Sequence, residues 1–383
     1  MSINKIKFAM LRLLMRTVGW FYPIKKKVVF NSFFGKQYSC NPRAISDEMH
    51  KLYPDYEIVW LLNDANVPYG LLPDYVRVVV KGSRIYSWGK EIVSAAAYVY
   101  NIQQSPGIYK KKKQFFVQTW HGDRGFKKIL RDIDSSYTDI VYDNKVTDVC
   151  IGGSDFGEQN YRSAFGFEGN VLSLGSPRND CLIINDVKYV EEIKRRLNLA
   201  KDVKILLYAP TFRDNNKQNQ SVNIDLKAVC SSLEKDGEKW VCLIRSHIAS
   251  DGLSYEYDNE KYINVSDYPD MADLLCITDM LITDYSSCAC DFSLTGKPII
   301  LTFFDINEYI TNCREFKVEP EETGFKIAHN QDELNYIIEN TNSDEYKKCC
   351  DRVNSFFGVK ETGKASRTVC ELIDASYIKH FVS

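Results

Sequence analysis

The sequence predicts an α/β protein with two parallel sheets, one after the other along the chain. From Val28 onward, short apolar runs alternate with longer mixed segments, the pattern of βαβ units. The alternation breaks at Gly175-Ser176-Pro177-Arg178-Asn179-Asp180, where Gly and Pro stand close together, and then starts afresh. A chain of 383 residues is also long for one hydrophobic core and comfortable for two.

Composition narrows the function classes. Apolar residues at 44% and charged residues at 26% fill two ordinary cores. A net charge of −2 lacks the cationic excess that a general nucleic-acid binder needs. Twelve cysteines do not imply a disulfide scaffold in so large a chain. Cys150, Cys242 and Cys276 lie inside apolar runs, and Cys288-x-Cys290 and Cys349-Cys350 lack zinc-site spacing, so reduced thiols and a cytosolic setting are expected.

Residues 3–21 are apolar but interrupted by charge, with Trp20 and Phe21 at the end and Lys25-Lys26-Lys27 beyond. Lys5, Arg12 and Arg16 share one stripe at helical spacing; Phe8, Leu11, Met15 and Val18 form another. The run is too broken for a spanning helix, and its arginines spoil a signal peptide. A basic amphipathic helix on an anionic membrane surface is expected, against a surface helix packed on its own domain.

Strands are expected at Val28–Phe30, Ile58–Leu62, Val76–Val80, Ala97–Ile102, Phe115–Trp120, Val149–Ile151 and Val171–Leu174. After the Gly175 loop they resume at Ile205–Tyr208, Val241–Ile244, Ile263–Val265, Leu281–Thr283 and Ile299–Phe303. Helices fall between them, and Lys364–Phe381 reads as a closing helix. Lys110–Lys113 reads as a solvated turn, with contact to an anionic acceptor as the second reading. The expected division is a membrane-associating segment 1–27, domains 28–178 and 179–363, and the closing helix 364–383.

The stretch Gln114-Phe-Phe-Val-Gln-Thr-Trp-His121-Gly122 places a histidine where a buried strand ends at a glycine. In open α/β sheets that edge faces the ligand crevice, and an imidazole there suits proton transfer near neutrality. A packing histidine beside a core tryptophan is the competing reading. The loop Asn31-Ser32-Phe33-Phe34-Gly35 follows the first strand toward the same crevice.

Four strand ends in the second half carry phosphate-binding chemistry: Thr211 with Arg213, Arg245 with Ser246 and His247, Ser266 with Asp267, and Asp284 with Ser286 and Ser287. Guanidinium forks hold phosphate oxygens, and a helix start offers free amides. Singly, the serines read as N-caps and the arginines as surface ion pairs. Together they indicate a nucleotide-diphosphate site. No Gly-x-Gly-x-x-Gly follows the first strand, and Walker and Gly-x-Ser-x-Gly motifs are absent, against dehydrogenase, P-loop and hydrolase readings. With no acidic pair set as a clamp, catalysis without an obligatory protein-held metal is expected.

Gln118-Thr-Trp-His-Gly122, Gly175-x-Pro-Arg-Asn-Asp180, Tyr208-Ala-Pro-Thr-Phe-Arg213, Arg245-Ser-His247, Leu281-Ile-Thr-Asp-Tyr-Ser-Ser287 and Gly296-Lys-Pro298 stand in this order, with Phe304-Asp305 and Tyr309 after them. With Val29-Phe-Asn-Ser-Phe-Phe-Gly35 and Asn41-Pro-Arg43, the set resembles the CDP-glycerol glycerophosphotransferases of teichoic-acid synthesis. The resemblance implies a GT-B architecture of two Rossmann-like domains facing a central cleft, with the nucleotide held by the second. It also implies peripheral attachment to the inner face of the cell membrane. His121 is then the general base and His247 a phosphate contact. Thr211, Arg213, Arg245, Ser266, Asp284, Ser286 and Ser287 surround the donor, and Ser32, Gly35, Gly122, Asp123 and Arg124 lie on the acceptor side.

The implied reaction moves an alditol phosphate from CDP-glycerol or CDP-ribitol to a hydroxyl of a lipid-linked or glycan acceptor, releasing CMP. Two departures stand out. Asp123-Arg124-Gly125-Phe126 replaces the family's Thr-Pro and leucine after the Trp-His-Gly, and Ile248 replaces a proline after His247. A GT-B glycosyltransferase using a nucleotide sugar, and a non-catalytic nucleotide-diphosphate scaffold at the membrane, stay open as alternatives.

Overall fold

The computed structural model describes residues 3–81, 86–137, 140–211, 224–245, 260–312 and 315–382. Contacts divide the chain into two units, residues 1–123, 130–180 and 360–383 in one and residues 124–129 and 181–359 in the other. The division is therefore not contiguous in sequence. Each unit is a parallel α/β sheet, the class that the alternation predicts.

In the first unit the strands are β1 (Lys25–Asn31), β2 (Glu57–Leu62), β3 (Val76–Val80), β4 (Ala95–Tyr100), β5 (Phe115–Gln118), β6 (Val149–Gly152) and β7 (Asn170–Ser173). They run parallel in the order β3-β2-β1-β4-β5-β6-β7. Val29 pairs with Val59 on one side and Tyr98 on the other, and Tyr98 with Phe116. Both faces of the central strands are covered, so Val28-Val29-Phe30 and Ala95–Tyr100 are fully buried and read as unbroken apolar runs. The order reverses between β1 and β4, which makes the C-terminal ends of these strands the expected ligand edge.

The closing helix, Ala365–Phe381, belongs to this first unit. It packs on the helix Cys40–Leu52, with Cys370 Sγ 3.4 Å from the Ile45 carbonyl. Asp180 caps it from a distance: its carboxylate accepts from the amides of Ala365 and Ser366 at 2.9 and 2.7 Å.

Residues Ile3–Phe21 are helical, but the stripe expected to meet lipid turns inward. Met15 is 7% exposed in the core of this unit, Val18 packs beside it, and Leu11 lies against Gly107. A helix that is apolar nearly all round cannot reveal by periodicity which side its own domain covers. The outward side carries Ile6, Met10, Leu13, Leu14, Trp20 and Phe21, all exposed. Arg12 leaves the basic stripe and stacks 4.4 Å from the Tyr142 ring. The lysine run is likewise partly absorbed: Lys110 pairs with Asp148, and Lys111 Nζ donates to the Tyr22 carbonyl at 2.5 Å.

The second unit holds β8 (Lys204–Ala209), β9 (Trp240–Ile244), β10 (Tyr262–Asn264), β11 (Met280–Thr283), β12 (Ile299–Thr302) and β13 (Lys326–Ala328). Their parallel order is β10-β9-β8-β11-β12-β13, with the reversal between β8 and β11. Leu206, Cys242, Ile282 and Ile300 build its core with Leu334 and Tyr346 from the covering helices. The segment 124–129 joins this unit: Phe126 is 1% exposed and meets Phe325 edge-on, and its carbonyl accepts from the Lys317 amide at 2.6 Å.

Candidate active site

β5 ends at Gln118, and three residues later His121 emerges at the C-terminal edge of its sheet. Its Nδ1 lies 2.8 Å from the carbonyl of Asn101, which directly follows β4. A carbonyl only accepts, so Nδ1 carries the proton and Nε2 keeps its lone pair. Two rings flank the imidazole, Trp120 at 4.2 Å and Phe33 at 5.2 Å between centroids. Both flanking residues are left-handed, with φ of 49° for Trp120 and 48° for Phe33, and such strain gathers at functional sites. Burial lowers the His121 pKa to about 4; the Asn101 hydrogen bond opposes this and the charge of Arg178 adds to it. At neutral pH the ring is an uncharged proton acceptor.

Asn101, expected from the sequence only as part of a strand Ala97–Ile102 that in fact ends at Tyr100, organises this corner. Its Oδ1 accepts from the Phe33 amide at 2.9 Å, and its Nδ2 donates to Ser32 Oγ at 2.9 Å. The signal that could have found it is the lone polar residue closing the apolar run Ala95–Tyr100, since His121 and Ser32 also fall just past strand ends. Gln118 is a second missed residue. Its Oε1 accepts from the Trp120 amide at 2.9 Å, while Nε2 donates to the Ile102 carbonyl and to Asp143 Oδ2 at 3.0 and 3.1 Å.

The acceptor-side candidates fare unevenly. Gly122 adjoins His121 and is partly exposed. Ser32 is fully buried and its hydroxyl is engaged with Asn101. Gly35, at φ 80°, serves packing, since a Cβ there would come within 2.8 Å of the Trp88 ring and 3.0 Å of the Leu61 carbonyl. Asp123 faces its own unit: Oδ2 accepts from the Gly153 amide at 2.6 Å and from Ser154 Oγ at 3.0 Å. Arg124 is 3% exposed and pairs through Nη2 with Asp291 Oδ1 at 3.1 Å inside the second unit. These last two charges tie down chain rather than face solvent.

In the second unit the four strand ends line one edge, because β10, β9, β8 and β11 are consecutive neighbours. At the reversal, the Thr211 amide donates to Asp284 Oδ1 at 2.8 Å. Asp284 is 3% exposed and thereby joins the ends of β8 and β11. Ser286 and Ser287 follow, both partly exposed, and Ser287 makes no side-chain cap to the helix Cys288–Phe292. Its hydroxyl is thus not spent on capping. Tyr285 anchors the turn, stacked 3.8 Å from Tyr309 with its hydroxyl on Asp305. Arg245 ends β9, and its buried Nη1 has no hydrogen-bond partner among the described residues. Burial lowers its pKa, with Asp270 acting in the opposite direction. The Ser266 amide closes a turn onto Asn264 Oδ1 at 2.9 Å. Arg213, Ser246 and His247 lie outside the described residues.

Residues 14–375 match the family model described as CDP-glycerol:poly(glycerophosphate) glycerophosphotransferase. The chain belongs to this family. It is 31% identical over 382 residues to the teichoic acid glycerol-phosphate transferase of Staphylococcus aureus, covering 92% of this chain and 93% of that protein. It is 32% identical over 374 residues to the teichoic acid poly(glycerol phosphate) polymerase of Staphylococcus epidermidis, covering 91% of this chain and spanning 50% of that polymerase. A solved structure of the wall teichoic acid polymerase TagF superposes with a TM-score of 0.84 at 27% identity, covering 100% of both chains. That match, with two parallel sheets each reversing once, gives the family member a GT-B-like fold class.

Proposed function

We propose that this protein transfers an alditol phosphate from a CDP-alditol to a hydroxyl of a lipid-linked or glycan acceptor in teichoic-acid-like or capsular polymer synthesis. Family membership supports the reaction class, and the names of the two relatives support glycerol phosphate as the transferred group. Solved TagF structures include a histidine-to-asparagine variant soaked with CDPG. The observation that carries the reading is the Nδ1 contact of His121 with Asn101, which leaves Nε2 free to take a proton.

In this mechanism the acceptor oxygen attacks the β-phosphorus and the bond from that phosphorus to the bridging oxygen of CMP breaks. His121 Nε2 takes the acceptor's proton, and CMP carries away the bonding pair. Thr211, Arg245, Ser266, Ser286 and Ser287 hold the phosphates through hydroxyls and a guanidinium, with Asp284 fixing the turn beneath them. Arg213 and His247 belong to the same proposed set. Nη1 of Arg245, buried without a hydrogen-bond partner among the described residues, supports this, because phosphate oxygens can complete such a cation. The protein would work at the cytoplasmic face of the membrane, held there by the outward side of the helix Ile3–Phe21, whose exposed apolar residues neighbour exposed Lys5, Lys7 and Arg16.

The test is product release with purified protein and a lipid-linked disaccharide acceptor. CMP from CDP-glycerol or CDP-ribitol is expected, and UDP from UDP-sugars is not. UDP release with no CMP would transfer the protein to the glycosyltransferase reading, and affinity without turnover would favour the scaffold. His121→Ala should lower kcat on the order of 10²–10⁴-fold in a folded protein. An undiminished rate there removes the histidine from its role.

A further inference from the structure

The peptide that leads into His121 is held by a side chain from a different part of the first unit. Asn41, 1% exposed in the first turn of the helix Cys40–Leu52, donates through Nδ2 to the carbonyls of Thr119 and Trp120 at 3.1 and 3.0 Å. These carbonyls bracket Trp120, the residue forced to φ 49°. The Trp120 amide is taken by Gln118 Oε1, so all three backbone polar groups around the strained residue are bound by side-chain amides. The remaining atom of Asn41, Oδ1, accepts from the Arg178 amide at 3.0 Å. Arg178 is the cation whose charge acts on the His121 ring. One amide thus fastens both the histidine's approach and the backbone of the neighbouring cation.

We propose that Asn41 is a positioning residue for proton transfer: it locks the left-handed Trp120 from both sides and so aims the His121 ring, while fixing Arg178 beside it. This rests on His121 being the proton acceptor. The physical reasoning is direct. A left-handed tryptophan costs on the order of 1–3 kcal/mol and persists only where surrounding bonds overdetermine it. Without Asn41 the Thr119 carbonyl is released and the Trp120 carbonyl keeps only the Thr119 hydroxyl at 3.2 Å, so Trp120 can relax toward negative φ, and that rotation swings the next residue, His121. Asn fits the task because its amide offers two donors and an acceptor at once, and all of these are used. A carboxylate of the same shape has no N–H to give. Asn41 does not meet the reacting atoms; it acts through the Trp120 peptide.

The experiment compares wild type, Asn41→Ala and Asn41→Asp for CMP release from CDP-glycerol with a lipid-linked disaccharide, alongside the ¹⁵N shifts of the His121 ring. Both variants should lose on the order of 10- to 100-fold in kcat, the scale of an ångström-level misplacement, with KM for CDP-glycerol unchanged within about twofold. The His121 ring signals should broaden or move, which a purely structural loss of stability would not cause in a protein with native near-ultraviolet circular dichroism. Should Asn41→Ala not fold, Asn41→Asp, which keeps the size and the Arg178 contact, must show the same drop. A folded variant with wild-type kcat, or one whose loss lies wholly in KM, overturns the proposal. His121→Ala in parallel separates the two ideas: full activity there ends the proton-acceptor reading, while the ring shifts still report whether Asn41 holds the loop.

Discussion

His121 Nδ1 sits 2.8 Å from the carbonyl of Asn101, and that contact decides what the imidazole can do. It fixes the proton on Nδ1, and burial lowers the pKa to about 4. In two-dimensional ¹⁵N–¹H spectra, His121 should appear as the neutral Nδ1–H tautomer from pH 8 down to about 5 and titrate near 4. A midpoint at the ordinary 6.5 would contradict this environment. The sign for stability follows from linkage. The folded state binds its proton later than the unfolded chain, so the contribution is fully present above about 6.5 and is lost as pH falls toward 4.

Arg245 yields a prediction of opposite kind. Its Nη1 is buried without a partner among the described residues, and a ligand phosphate is proposed to complete it. Arg245→Met should leave the unfolding midpoint of the unliganded protein unchanged or raised, because a buried charge is removed. Calorimetric affinity for CDP-glycerol should fall about 10- to 100-fold, the worth of hydrogen bonds to a charged group. Equal affinity in wild type and variant would place the phosphates elsewhere.

The sheets were legible because Val28-Val29-Phe30, Leu206-Leu207 and Ile299-Ile300-Leu301 are apolar without interruption, as strands buried on both faces must be. β13 was not, since Lys326-Ile327-Ala328 is too short to display a pattern. At the site, His121 announced itself by the glycine after it, whereas Asn101 and Asn41 resemble ordinary turn and cap residues. Only the fold brings Asn41 to Trp120, which lies 79 positions away in the chain. Asp123 and Arg124 stand among the acceptor-side candidates in the sequence, and only the fold shows that each is held by a partner inside its own unit.

Asp143 provides a pH prediction. It is 1% exposed, its Oδ2 accepts from Gln118, and its Oδ1 has no hydrogen-bond partner among the described residues. Burial pushes its carboxyl up to about 6, with the hydrogen bonds only partly opposing this. The folded pKa lies above the unfolded one, so the contribution is full below about 4 and is lost as pH rises through 6. Asp143→Asn removes that loss. Urea midpoints should therefore show the variant gaining on wild type between pH 5 and pH 7.5. A difference independent of pH would mean that the carboxyl titrates normally.

The helix Ile3–Phe21 offers two faces whose removal should have separable effects. Met15 belongs to the core, so Met15→Ala should cost about 2–5 kcal/mol in unfolding free energy. Met10, Leu13 and Trp20, exposed at 67%, 61% and 72%, lie outside the core of the unit and are the groups proposed to enter lipid. The triple variant Met10→Ser, Leu13→Ser, Trp20→Ser should keep the wild-type unfolding midpoint yet stop sedimenting with phosphatidylglycerol vesicles. Wild-type sedimentation should weaken with added salt and with neutral phosphatidylcholine, because Lys5, Lys7 and Arg16 supply part of the attraction. Deleting residues 1–24 outright cannot separate these effects, since it also uncovers the surface that Met15 and Leu11 occupy. A triple variant that binds vesicles as tightly as wild type would exclude this face as the anchor.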